Sequence, residues 1–310
     1  MSRLAIACLT LAVSCGRAQG VADEDLGNLV TAPVESHTPI KTARAAQEPA
    51  ELSRALAQPL TIVAAALGPH EVEMSSVTIV DEAGKVVSEM TETTKLQLGD
   101  KGYHGEYTNT ADYGREVIFD GTSMFLRPRY QRWHQRAPEG PAEPAEQRDK
   151  FYAPIAATWE LFAPAVELID KGAADVAGRP GKKIEVRKSP KPGANPTEKL
   201  TQRKWREARV IEDVSGEVVL DVDKAVPLSV KLAGTISFMR DGRRFKMKVT
   251  LTSAITALGA KPIVAPAATE VVATPERMRE VDDRDALLQG IAPPSRKASD
   301  SPAPPAGSAQ

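Results

Sequence analysis

Few residues of this 310-residue chain have side chains suited to catalysis or metal binding. There are only four histidines, and both cysteines lie within the first 15 residues, so a disulfide scaffold and a cysteine-ligated zinc site are excluded from the rest of the chain. His104-Gly105-Glu106 would place an imidazole and a carboxylate on one face of a strand, as in half of a metal site. No His-x-x-x-His pair supports it, and no nucleotide-binding glycine motif or nucleophile elbow is present. We therefore expect no enzyme activity, no metal and no cofactor.

A second group of side chains lies between residues 127 and 136, where basic and aromatic residues occur without an acid. Guanidinium groups beside aromatic rings suit phosphate or carboxylate head groups. The alternative is a solvated edge strand whose charges deter aggregation. The residues proposed for head-group contact are Arg127, Arg129, Arg132 and Arg136. The formal net charge of the whole chain is only -1, which argues against a general nucleic-acid binder, and we expect no nucleic-acid partner.

The first 15 residues resemble a bacterial lipoprotein signal. A short positive start precedes an apolar run, Leu4 to Val13, that is too short to span a bilayer, and small residues lead to Cys15. The resemblance implies lipidation of Cys15 and a membrane anchor; the alternative is an ordinary secretory signal with Cys15 incidental. Gly16, rather than an aspartate, follows the cysteine, and the resemblance to lipoproteins then implies sorting to the outer rather than the inner membrane. We expect a lipid-anchored protein of the cell envelope that faces the periplasm.

Composition divides the chain into four parts. We predict a lipoprotein signal peptide at 1–14, a disordered tether at 15–47, one folded domain at 48–290 and a disordered tail rich in Pro, Ser and Ala at 291–310.

Within the folded domain, apolar spacing predicts a helix over 49–67 that bends at Pro59. A second apolar stripe, kinked at Pro164, extends from Phe151 to Ile169 and predicts covering helices. A closing helix is expected over 274–289. Turn signals separate five strand-like runs in the first half: 71–80, 85–98, 103–108, 117–119 and 124–127.

The sharpest structural signal is a long hairpin around Asp241-Gly242. A two-residue turn there pairs Phe238 with Phe245 and Leu232 with Leu251, which places the apolar residues of both strands on one face. Such one-sided hairpins curl around an apolar interior. The sequence thus predicts an α+β fold, a large curved antiparallel sheet or half-barrel with an N-terminal helix and covering helices.

Two local motifs resemble the periplasmic lipoprotein-carrier superfamily, the LolA/LolB-like half-barrel. One is Phe119-Asp120-Gly121 followed by Arg127-Pro128-Arg129, and the other is Val219-Leu220-Asp221 leading to Pro227-Leu228. The resemblance implies an open half-barrel with helices covering its mouth. Here the Arg-Pro element follows its Asp-Gly hairpin, whereas in the family it usually precedes it.

We therefore expect an envelope lipoprotein that binds an apolar ligand, such as the acyl chains of a lipid or a lipoprotein, in its curved sheet. The alternative is a structural or protein-interaction lipoprotein of the envelope, with a filled core, no ligand and a protein partner. The residues expected to contact the ligand are Leu228, Val230, Leu232, Ile236, Phe238, Phe245, Met247, Val249, Leu251, Trp159 and Phe162.

Overall fold

A computed structural model describes residues 39–259 and 261–273 of the chain. These residues form one sheet of 12 strands with helices packed against it, so the expected fold class, a large curved antiparallel sheet with an N-terminal helix and covering helices, is confirmed. The strands are β1 (His70–Glu82), β2 (Lys85–Leu98), β3 (Tyr103–Asn109), β4 (Gly114–Phe119), β5 (Met124–Pro128), β6 (Trp133–Arg136), β7 (Val166–Val176), β8 (Arg179–Lys188), β9 (Val210–Asp221), β10 (Pro227–Arg240), β11 (Arg243–Leu258) and β12 (Val271–Ala273).

The sheet is built from two antiparallel meanders that join where β1 pairs with β11. β1 to β6 follow one another on one side of this join, and β11 back to β7 follow on the other. β7 is one edge of the sheet, and the short β12 pairs in parallel with β6 to form the other. The connection from β6 to β7 must therefore cross the sheet, and it does so as helices.

The predicted hairpin is confirmed with its register. β10 and β11 pair Phe238 with Phe245, Ile236 with Met247 and Leu232 with Leu251. Asp241 and Gly242 have φ angles of 51° and 74°. Two consecutive positive φ angles are typical of a type I′ turn, whose twist matches that of the strands it joins.

The helices are α1 (Thr42–Ala45), α2 (Pro49–Leu56), α3 (Leu60–Leu67), α4 (Glu143–Tyr152) and α5 (Pro154–Phe162). The predicted helix over 49–67 is two helices, since Pro59 precedes α3 and no helix continues through it. The second stripe is helical only as far as Phe162. A 3-10 turn, Ala163–Ala165, follows, and Val166 begins β7, so the expected helical continuation to Ile169 is wrong. Pro164 ends the helix, and pairing with β8 orders the next residues as a strand.

The ordered fold also begins earlier than the composition predicted. The tether was expected to reach residue 47, yet α1 lies within it and Ala45 and Ala46 are fully buried. The Thr42 hydroxyl donates a 2.9 Å hydrogen bond to the carbonyl oxygen of Asp221, so a distant strand end orders this segment.

Several predictions fall on residues outside the described ranges. They are the signal peptide at 1–14, Cys15, the tether up to residue 38, the closing helix at 274–289 and the tail at 291–310. Among the described residues, no helix has the length and apolar character needed to cross a membrane.

Candidate ligand-binding cavity

The helices that cross the sheet lie directly on the backbone of two strands. A β-carbon added to Gly234 of β10 would stand 2.4 Å from the Phe162 ring of α5. One added to Gly105 of β3 would stand 2.5 Å from the Phe151 ring of α4. Both rings therefore lie close against glycine, at distances that no larger residue would permit. This packing defines the inner face of the sheet.

The apolar face of the β10–β11 hairpin lies in this packed core. Six residues of this face that the sequence predicted to contact a ligand are at most 5 % exposed: Leu228, Val230, Leu232, Ile236, Val249 and Leu251. Trp159 and Phe162 of α5 belong to the same cluster, and the Trp159 indole donates a 2.7 Å hydrogen bond to the hydroxyl of Ser53 in α2. A ligand could reach these residues only if α5 moved away from the sheet.

The remaining three expected contacts lie towards the tip of the hairpin, where the core ends. Phe238, Phe245 and Met247 are only partly buried. The Phe238 ring stacks on Phe245 with centroids 5.6 Å apart, and the centroid of the Trp205 ring lies 4.4 Å from that of Phe238.

The four arginines between residues 127 and 136 do not share one surface, because the segment is two strands and a turn. Tyr130 occupies the turn with a φ of 67°. Arg127 pairs with Glu116, Arg129 lies 3.4 Å from Asp112, and Arg132 donates to the carbonyl oxygen of Thr269. Arg136 faces the interior instead, where it is buried and pairs with Glu143 of α4.

A cavity of about 540 Å³ lies at one end of the inner face, where the helices do not fill the space. The end of α3, the β2–β3 turn, the end of β4 and the start of α4 line it, and it is about half open to solvent. Its volume falls within the roughly 300–1,000 Å³ of small-molecule sites. The lining residues are Ala64, Gly68, Pro69, Leu98, Gly99, Asp100, Lys101, Gly102, Tyr103, Phe119, Pro141, Pro144, Ala145 and Arg148.

The β2–β3 turn is shaped so that it can lie against the end of β4. A β-carbon on Gly102 would stand 2.0 Å from the carbonyl oxygen of Phe119, so only glycine permits this approach. The approach brings the Tyr103 and Phe119 rings to a centroid distance of 6.3 Å, and together they form an aromatic wall of the cavity.

Tyr103 contributes to this wall, and its hydroxyl is buried behind it. The residue is 2 % exposed, and its hydroxyl has no hydrogen-bond partner among the described residues. Burial raises the pKa of Tyr103 well above its ordinary value, although the charges of Arg115 and Arg148 act to lower it. The group therefore stays protonated and can donate a hydrogen bond, and an unsatisfied buried donor of this kind costs about 1–3 kcal/mol.

Positive charge lies at the same wall of the cavity. Arg148 of α4 lines it with a side chain that is 16 % exposed, and its guanidinium lies 2.7 Å from the carboxylate of Asp149. Lys101 lines the exposed rim. The lining thus combines apolar side chains with two cations, Lys101 and Arg148, and one carboxylate, Asp100, a composition that suits a molecule with an apolar body and a polar head.

The sequence analysis did not identify these residues as a site. Tyr103, Phe119 and Arg148 come from two strands and a helix that are separated in sequence, and none lies in a recognisable motif. The glycines of the Gly99–Gly102 turn were the available signal, but on their own they predict only a boundary between two strands.

No protein family model and no curated protein matches the chain. Among solved structures, it is similar to LprF from Mycobacterium bovis, with 12% identity over 72% of this chain and 99% of that one and a TM-score of 0.28. Lipoprotein LppX from Mycobacterium tuberculosis has 14% identity over 69% and 100%, with a TM-score of 0.27. A LolA superfamily protein from Nitrosomonas europaea has 6% identity over 67% and 97%, with a TM-score of 0.23. The last of these is named as a member of the superfamily that the sequence motifs resemble.

Proposed function

We propose that the protein is a lipid-anchored lipoprotein of the cell envelope that binds one amphipathic, lipid-like molecule in the cavity beside Tyr103. The observation that carries the proposal is a cavity of small-molecule size whose mixed polar and apolar lining includes Arg148 and Tyr103, and the buried Tyr103 hydroxyl just behind that lining has no partner among the described residues. Exclusion of water from such a donor is costly unless a ligand accepts its hydrogen bond. We therefore propose the ligand site at the end of the inner face and not on the packed hairpin face expected from the sequence.

The ligand would bind with its two ends in different surroundings. Its apolar part would lie against Leu98, Phe119 and Pro144, with about 0.8 kcal/mol gained for each buried CH₂. Its head would face Arg148 and, after a small shift of the wall, accept the hydrogen bond of the buried Tyr103 hydroxyl. A fatty acid or an acidic lipid has this distribution of groups.

The anchor remains a prediction from the sequence motif at Cys15. Several acyl chains on one residue anchor a protein stably where a single chain binds marginally. Replacement of Cys15 by Ser should release the protein from the membrane fraction. Retention of the variant at the wild-type level would contradict lipidation.

The cavity is tested with a fluorescent fatty acid on the full chain carrying Cys15→Ser, so that no acyl chain of the protein itself competes. Ala64 lines the cavity and its neighbour Ala65 is exposed on the same helix. Ala64→Trp should lower affinity at least tenfold because the indole occupies the cavity, whereas Ala65→Trp should leave it within about twofold.

Absence of saturable binding by the parent protein would overturn the proposal. Equal binding by the two tryptophan variants would place the ligand elsewhere.

One observation favours the alternative of a protein-interaction lipoprotein, namely that the core beneath the β10–β11 hairpin is filled by α5. In that case no lipid co-purifies, and an envelope protein is captured equally by the parent and by Ala64→Trp. Loss of capture in Ala64→Trp would contradict it, because the cavity would then be the docking site.

A further inference from the structure

The outer face of the sheet, opposite α4 and α5, carries a second cluster of functional side chains. Tyr103 and Gly105 of β3 face the inner core, so the alternation of a strand directs His104 and Glu106 outward. β4 pairs with β3 so that Glu116 stands opposite Glu106. The imidazole and two carboxylates therefore meet on one surface, and the sequence motif His104-Gly105-Glu106 contains two of the three.

We propose that His104, Glu106 and Glu116 bind a divalent transition-metal ion, with Zn²⁺ as the probe. The His104 Nε2 atom lies 3.4 Å from Oε2 of Glu116 and 3.6 Å from Oε1 of Glu106. Ligand atoms at the corners of a zinc tetrahedron with bonds of about 2.0–2.2 Å are about 3.4 Å apart. One ligand atom from each residue fits within 4.8 Å of the other two, so small side-chain rotations suffice to enclose an ion.

Neighbouring residues hold Glu116 in an orientation that leaves one oxygen for the metal. Arg127 of β5 contacts Oε1 of Glu116, while Oε2 is directed at His104. The Arg127 guanidinium in turn lies 4.4 Å from the Trp133 ring centre. A carboxylate fixed by an outer contact of this kind is a common support of a metal ligand.

Trp133 itself is held in a small apolar cluster on the outer face. It is 4 % exposed and packs with Ile118 and Phe125, and Ile263 and Val271 of the C-terminal segment cover the cluster. Packing thus holds the residues next to the three ligands, which lowers the cost of ordering the ligands around an ion.

The donor set determines which ion fits. One imidazole and two carboxylates favour a first-row transition metal, since Mg²⁺ and Ca²⁺ prefer oxygen ligands alone. Counting Arg127, the four side chains carry a net charge of about -1 with neutral His104, so attraction for a dication is moderate. Three protein ligands leave a fourth position open, as in exchangeable rather than structural zinc sites.

The experiment is a Zn²⁺ titration of the full chain carrying Cys8→Ser and Cys15→Ser, so that no thiol competes. Binding is followed by calorimetry and by the histidine ring resonances in NMR. We expect one saturable site, a shift of the His104 resonances, and at least tenfold weaker binding in Glu106→Gln and in His104→Asn. Mg²⁺ at the same concentrations should produce neither signal.

Glu73→Gln is the matched control. Glu73 is an outer-face carboxylate of β1 that pairs with Lys95 at 3.6 Å, and its removal should change Zn²⁺ affinity less than twofold. Unaltered His104 resonances up to millimolar Zn²⁺ would overturn the proposal and identify the cluster as an ion-pair network only. Equal binding by Glu106→Gln, His104→Asn and Glu73→Gln would overturn it as well.

Discussion

Substitution of Gly234 by Ala tests how closely α5 packs on the sheet. The new methyl carbon would lie 2.4 and 2.7 Å from two atoms of the Phe162 ring and 2.8 Å from the carbonyl oxygen of Asp213. All three contacts are shorter than van der Waals contact, so the ring and the helix must shift. Overpacking of a well-packed core costs about 1–3 kcal/mol, and we expect the free energy of unfolding to fall by that amount.

The cause is isolated by a double-mutant cycle with Phe162→Ala. Removal of the ring alone should cost about 3–5 kcal/mol, because Phe162 is fully buried. In the double variant the methyl group added at position 234 no longer meets the ring. The stability lost by the double variant should therefore be about 1 kcal/mol smaller than the sum of the two single losses. The rescue is partial because the contact with Asp213 belongs to the backbone and remains.

Urea unfolding followed by tryptophan fluorescence measures these differences, with Gly140→Ala as the control. Gly140 has no atom within 4 Å of its added β-carbon and no positive φ, so its variant should remain within about 0.5 kcal/mol of the parent. A neutral Gly234→Ala, or strict additivity with Phe162→Ala, would refute the packing. The inner face would then be open to a ligand.

Three further predictions concern single side chains. Tyr103→Phe should weaken fatty-acid binding about fivefold to tenfold, as for one hydrogen bond of about 1 kcal/mol or slightly more, and unchanged affinity in the dye assay would show that the hydroxyl meets no ligand. Burial acts to raise the pKa of Glu143, but its contacts with Arg136 and the amide of Glu139 hold that pKa below its ordinary value. The free energy of unfolding should therefore fall as the pH drops from the unfolded pKa of about 4.3 through the lower folded pKa. Urea titrations should show a shallower fall in Glu143→Gln, and an equal slope would contradict the assignment. Arg209 is 3 % exposed, and its guanidinium donates to the carbonyl oxygens of Leu161 and Glu160 at the end of α5. Arg209→Met should therefore lower the free energy of unfolding by about 2–3 kcal/mol. A smaller loss than that of Gly140→Ala would contradict this role.

The parts of the fold that local chemistry determines were predictable from the sequence. Asp241-Gly242 requires two positive φ angles, and that requirement fixed the turn, the register and the buried face of β10 and β11 together. Pro59 was likewise expected to interrupt the first helix, although only as a bend, and it stands at the start of α3 after α2 has ended. In each case the determining residues lie next to the structure they determine.

The rest depends on contacts between residues distant in sequence. Val166 continues a helical spacing, yet pairing with Lys188 makes it a strand. Residues 42–46 have no apolar period and are ordered by the end of β9. The proximity of Glu116 to His104 can be predicted only if the register between β3 and β4 is known. The loop between these strands lacks the two-residue turn that would have set that register. The cavity was hidden for the same reason, since no short segment contains it.

The packing of α5 limits how the protein could take up a ligand. Ile155, Trp159 and Phe162 are at most 2 % exposed, and at about 1.5–3 kcal/mol each their exposure would cost about 5–9 kcal/mol. A ligand that lifts α5 to reach the hairpin face would need about 6–11 buried methylenes to offset this cost. A ligand in the cavity beside Tyr103 meets no such cost, so its affinity should rise steadily with chain length from short chains onward. Affinity that is negligible for fatty acids of up to about eight carbons and then increases abruptly would instead indicate displacement of α5.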